Sequence, residues 1–219
     1  MIVPTDKDYI DTKRILKKEK EMNPIFQLLK DWISTEFDQR VLNLYYDTID
    51  NGKRPRLNVI FENYQSVNTI RDRIGNYAKE KQKKIKDKFE ELIANESTAD
   101  FKTENLLVIF SAFNPIARAE ANGYITDKFL NRLKTKYEQL KIWELNRFGG
   151  SITVFFYTEK ELEVKRQSKE ITALREEYLE QLKEYDEFNV VKSEEFILRF
   201  DSKENFDNNY ESNWYYYYK

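Results

Sequence analysis

The sequence predicts an α/β (α+β) protein made of two tandem ββαβ-type units from an internal duplication. Mixed sheets are expected under long amphipathic helices, with a helical segment ahead of them. Three observations carry this. A short alternating strand ending in Phe and running into a helix start occurs four times. A strand and a tight turn precede the first and third of these. A long charged helix with one apolar stripe follows the same two.

The four stretches are LNVIFENYQSV, LLVIFSAFNPI, ITVFFYTEKEL and FILRFDSKENF. Aligned on Phe61, Phe110, Phe156 and Phe200, they carry Val59, Val108, Val154 and Leu198 two residues earlier. Leu57, Leu106, Ile152 and Phe196 stand four earlier. Side chains on one strand face recur every second residue, so each triplet forms one apolar face. The four Phe residues are therefore expected to be buried at strand ends. Ser66, Asn114 before Pro115, Thr158 and Ser202 then supply helix-starting chemistry.

In chain order, residues 1–40 form an N-terminal helical segment, with Asn23-Pro24 starting a helix through Ile25, Phe26, Leu28, Leu29, Trp32 and Ile33. Residues 41–141 form the first ββαβα unit. Its VLNLYY strand turns at Asn51-Gly52 into the first Phe strand. A helix stripe of Val67, Ile70, Ile74, Tyr77, Ile85, Phe89 and Leu92 crosses over to the second Phe strand, and a helix around Phe129, Leu133 and Tyr137 closes the unit. Residues 142–219 repeat the order. Strand IWELN turns at Gly149-Gly150, and the helix from Glu159 to Glu187 carries Ile171, Leu174, Tyr178, Leu182 and Tyr185. One continuous sheet and two separate sheets both satisfy this pattern.

The 219 residues contain no Cys and no His. That excludes disulfides, thiolate chemistry, Ser-His-Asp triads and Cys/His zinc sites. Lys and Arg number 37 against 39 Asp and Glu, so no global charge draws the chain to nucleic acid or an anionic membrane. The N-terminus lacks a signal-peptide core and no stretch reaches membrane-span length, so the expected location is cytoplasmic. No cofactor motif is present.

Ligands of parallel sheets favour the carboxyl ends of strands. Glu62, Glu159 and Asp201 lie there and could gather a Mg²⁺ ion for an enzyme; the competing role is helix capping. Glu159-Lys160 has the acid-then-Lys order of some nucleases, but at a helix start and without an upstream Asp. Lys79, Lys83 and Lys84, with Arg54 and Arg56, form the alternative nucleic-acid surface; a solvated helix face explains the same run. Glu177, Glu180 and Glu184 give the second long helix an acidic side for a basic partner. The tail NWYYYYK is the least ordinary segment. Extended, it places Trp214, Tyr216 and Tyr218 on one face, docked on the body, in a homodimer or on a partner. The expectation is a non-enzymatic module that binds another protein, such as an inhibitor or immunity-type partner of a toxin or enzyme.

Overall fold

The computed structural model describes residues 3–95 and 101–219. The chain divides into two compact units, residues 1–116 and 117–219. The first contains α1 (Lys7–Leu16), α2 (Pro24–Phe37), β1 (Val41–Ile49), β2 (Arg54–Phe61), α3 (Tyr64–Thr69), α4 (Lys79–Ala94) and β3 (Leu107–Ala112). Helix α5 (Asn114–Tyr124) contains the division. The second unit continues with α6 (Asp127–Lys136), β4 (Glu144–Phe148), β5 (Ser151–Phe156), α7 (Glu159–Lys165), α8 (Lys169–Glu184), β6 (Arg199–Ser202), α9 (Lys203–Tyr210) and α10 (Trp214–Tyr218).

The strands form two separate three-stranded sheets, ordered β1-β2-β3 and β4-β5-β6. In each, a hairpin pairs the first two strands antiparallel and a helical crossover brings the third in parallel to the second. The registers coincide. Val59 faces Leu44 and Phe110, and Phe61 faces Ala112; Val154 faces Leu145 and Phe200, and Phe156 faces Ser202. A one-residue slip would move every apolar side chain to the wrong face. Shared element order and shared register together fit the internal duplication.

Local chemistry fixes each junction. Asn23 accepts the Ile25 N–H at 2.9 Å, with Pro24 at the first helical position. Asp50, Asn51 and Gly52 all take positive φ to close the first hairpin, and Gly149 (φ 56) closes the second. Asn63, Thr158 and Ser202 cap α3, α7 and α9 through the N–H groups of Ser66, Glu161 and Asn205.

In the first unit the inner sheet face carries Leu57, Val59, Phe61 and Leu44. It packs with Ile25, Leu29 and Ile33 of α2 and Ile85 and Phe89 of α4. The opposite face is met by α1 through a polar contact. Buried Asp8 accepts from Asn58 Nδ2 at 2.8 Å, Ser111 donates to Asn58 Oδ1 at 3.0 Å, and Asn43 donates to Thr12 at 3.0 Å. Buried polar groups persist only when so paired. In the second unit, Ile152, Val154 and Phe156 are fully buried, as are Leu174, Tyr178 and Leu182 of α8. The Tyr178 hydroxyl donates to Asn122 at 2.6 Å, and Asn122 donates to the Gly149 and Ser151 carbonyls of the hairpin turn.

Three sequence expectations need correction. Each long helix is two helices. Asp72 Oδ1 accepts from the N–H groups of Ile74 and Asn76, Gly75 takes φ 88, and Arg71 bridges Tyr77. Ile74 therefore sits at a loop tip, 82% exposed, although its spacing continues the stripe. The second break, at 166–168, is closed by Ser168 capping α8. Phe61, Phe110 and Phe156 are buried, but Phe200 is only half-buried. Phe110 is covered edge-on by Tyr77 from the loop between α3 and α4. The second unit replaces that loop by a three-residue link, and no aromatic ring among the described residues packs on Phe200. Strand β6 also starts later than expected, leaving buried Phe196 and Leu198 ahead of it.

Phe156 has no exposed surface. Its truncation to Ala should destabilise the chain by about 3–5 kcal/mol, measured by urea unfolding. The same change at Phe200 should do distinctly less.

Candidate interaction surface

The surface grows from the way the chain leaves β6. Helix α9 ends at Glu211 and Ser212, both with φ 53, an unusual left-handed pair for non-glycine residues. The Ser212 N–H donates to the Phe206 carbonyl at 3.2 Å and its hydroxyl to Asp207 at 2.7 Å. This reverses the chain, and Asn213 then caps α10 by accepting the Tyr215 N–H at 2.9 Å.

Helical spacing puts Trp214, Tyr217 and Tyr218 on one side of α10. That side meets the outer face of β4-β5-β6. Trp214 lies 4.2 Å from Phe206 and 5.3 Å from Phe155, and stacks on Trp143 at 6.0 Å. Tyr217 packs on Phe155 at 5.3 Å and its hydroxyl donates to Asp201 at 2.6 Å. Tyr218 stacks on Phe148 at 4.0 Å, and its hydroxyl donates to Asn146 at 2.6 Å. Each ring pair contributes about 0.5–1.5 kcal/mol beyond area burial. Burial, reinforced by the Asp201 carboxylate, holds the Tyr217 phenol well above its ordinary ionisation range. Burial raises Tyr218 and Tyr178 likewise.

The other side of α10 faces out. Tyr215 and Tyr216 are 66% and 47% exposed, and Phe148 on the hairpin is 54% exposed. Phe148 and Tyr215, with Trp214 and Tyr218, border an apolar groove of about 530 Å³, flanked by Arg147 and Lys219. The tail is thus helical, not extended. Trp214 and Tyr218 share the docked side with Tyr217, whereas Tyr216 points away. The reversal at Glu211-Ser212 and the Asn213 cap favour a helical turn over strand pairing. Phe148 was missed in the sequence. Strand alternation from Leu145 gave the signal, since an odd offset sends Phe148 to the outer face.

The other candidates are placed as follows. Glu62 pairs with Arg40 at 2.8 Å in the first unit. In the second, Glu159 accepts from Ser202 at 2.8 Å, and Asp201 from Tyr217 and Asn205. Among the described residues, no group of three or more acidic side chains is placed to hold a metal ion. Lys83 pairs with Asp87, Lys84 with Glu36, and Arg56 with Asp47 through two hydrogen bonds. Arg54 donates to the Asn105 carbonyl, and Lys79 is exposed. Glu177 is bound by Lys136 at 2.5 Å, Arg132 at 3.6 Å and the Tyr137 hydroxyl. Glu184 accepts from Gln181, and Glu180 is exposed.

No helix among the described residues is long and apolar enough to cross a membrane. No family model, curated protein or solved structure matches the chain.

The raised phenols set an alkaline limit. Below about pH 10 both folded and unfolded chains hold these protons, and the stabilisation is complete. Above it the unfolded chain ionises first, so stability falls as pH rises toward the folded values. Urea midpoints of the native chain should drop above that pH, and Tyr217→Phe should shallow the drop. At neutral pH the same substitution should cost about 1–2 kcal/mol for the lost hydrogen bond to a carboxylate.

Proposed function

We propose that this protein is a non-enzymatic module that binds another protein, in the manner of an inhibitor or immunity-type partner that occludes a toxin or enzyme. One observation carries the reading: aromatic side chains are left exposed around an apolar groove that the same segment builds. Exposed Tyr and Phe beside a preformed cleft are what interface hot spots require. The support of α10 from beneath, by rings and two hydroxyl contacts, gives those side chains a fixed presentation. The basic run on α4 is a weaker basis for nucleic-acid binding, because Lys83 and Lys84 are already matched by carboxylates.

The test is purification of the chain from its native cell with any bound protein, in wild-type form and as Phe148→Ala/Tyr215→Ala. The expected result is one partner at fixed stoichiometry, lost in the double variant while the melting temperature stays within about 2–4 °C. Retention of the partner by that variant would move the interface elsewhere. Absence of any partner at native expression would remove the proposal.

A further inference from the structure

A second feature of the second unit is independent of the aromatic groove. Fourteen residues, 185–198, join α8 to β6 without helix or strand. Connections this long inside a compact unit are usually functional. This one is held by side chains at several points. Asp186 accepts the N–H groups of Val190 and Val191 at 3.0 and 2.7 Å. Arg175 donates to the carbonyls of Ser193 and Phe196 at 2.5 and 2.6 Å, and Lys183 to the Ser193 hydroxyl at 2.6 Å.

Between this segment and the Gly150-Ser151 turn lies a cavity of about 250 Å³. Its charged walls are Arg118, Lys192, Arg199 and Glu195. Arg118 is placed by close packing. Its stem crosses Gly150 so tightly that a Cβ there would meet Arg118 Cγ and Cδ at 3.0 Å. Among the described residues, the guanidinium's hydrogen bonds all run from Nη2, to the Val190 carbonyl at 3.3 Å and Glu195 at 3.1 Å. Nε is buried without a hydrogen-bond partner among the described residues. Lys192 and Arg199 are exposed, and neither pairs with an acid among the described residues.

Three cations against one carboxylate leave the cavity about two positive charges in excess. The chain as a whole has a formal net charge of -2, so the local sign is opposite to the global one. We infer that this cavity binds a phosphomonoester. Such a group carries about −1.5 to −2 charges at neutral pH, which matches the excess. Its oxygens suit guanidinium donors. Phe196 and Ile197, the latter 72% exposed, add an apolar wall for the organic part of the ester. The volume lies just below the usual range of small-molecule pockets, about 300–1,000 Å³, which restricts that part to roughly one ring.

Calorimetric titration of the full chain with phenyl phosphate at low salt tests this. One site is expected, with benzoate and inorganic phosphate each at least about tenfold weaker. The exposed pair Lys192→Gln/Arg199→Gln should weaken phenyl phosphate by at least about tenfold at an unchanged melting temperature. Gly150→Ala, which displaces Arg118, should weaken it in the same direction. Equal binding of benzoate, or undiminished binding by the double variant, would overturn the assignment. So would the absence of heat at millimolar phenyl phosphate. Inorganic phosphate binding as well as the ester would overturn the apolar wall's role.

Discussion

A three-stranded sheet has two faces, and one crossover can cover only one of them. In the first unit the crossover helix α4 and the helix α2 before the hairpin take the inner face, and in both units the inner-face Phe61 and Phe156 lose all contact with water. The outer face then needs a cover from another part of the chain, because a layer is stable only against another layer. Much else in the structure follows from how that need is met. In the first unit α1 meets it with hydrogen bonds, which Asn58 donates to Asp8 and Asn43 to Thr12. In the second, α10 meets it with rings around Phe155.

The two solutions differ in what they demand. A buried carboxylate such as Asp8 must keep its partners, since low dielectric makes an unpaired charge expensive. That ties α1 to particular side chains on β2 and leaves little latitude. Stacked rings are less exacting, and they can be supported on one side of a helix while the other side carries different residues. The aromatic cover can therefore hold Tyr217 inward and still present Tyr215 outward. The duplicated scaffold constrains the inner face by register and leaves the outer face open to such divergence.

Much of the scaffold was legible in the sequence. Period-two alternation with Asn51-Gly52 and Gly149-Gly150 identified both hairpins, and alignment on Phe identified the shared register. Three features misled for separate reasons. Ile74 keeps helical spacing but sits at a turn that Asp72 and Gly75 impose, so local backbone chemistry outweighed the stripe. Phe200 matches Phe110 in the sequence, yet burial depends on a covering ring from a loop that only the first unit has. In the tail, strand propensity of the Tyr run suggested an extended chain, whereas a single Asn cap and the docking of every third or fourth ring select a helix.

The candidate surfaces were less legible because they depend on distant pairings. The charge run on α4 stands out in the sequence, but Lys84 is neutralised by Glu36, 48 residues away. Conversely, Arg118 and Lys192 belong to no motif, and only the folded chain brings them to one cavity beside Gly150. Local composition thus overstated α4 and understated the segment from 185 to 198. What separates a solvated charge from a usable one is whether the fold supplies its counter-charge. Lys83 lies four residues from Asp87 on the same helix, a spacing that lets the helix itself neutralise it. Lys192 lies on the irregular segment and Arg199 at the start of β6, and neither has a helical repeat to place acids beside it. Their charge is left to whatever enters the cavity.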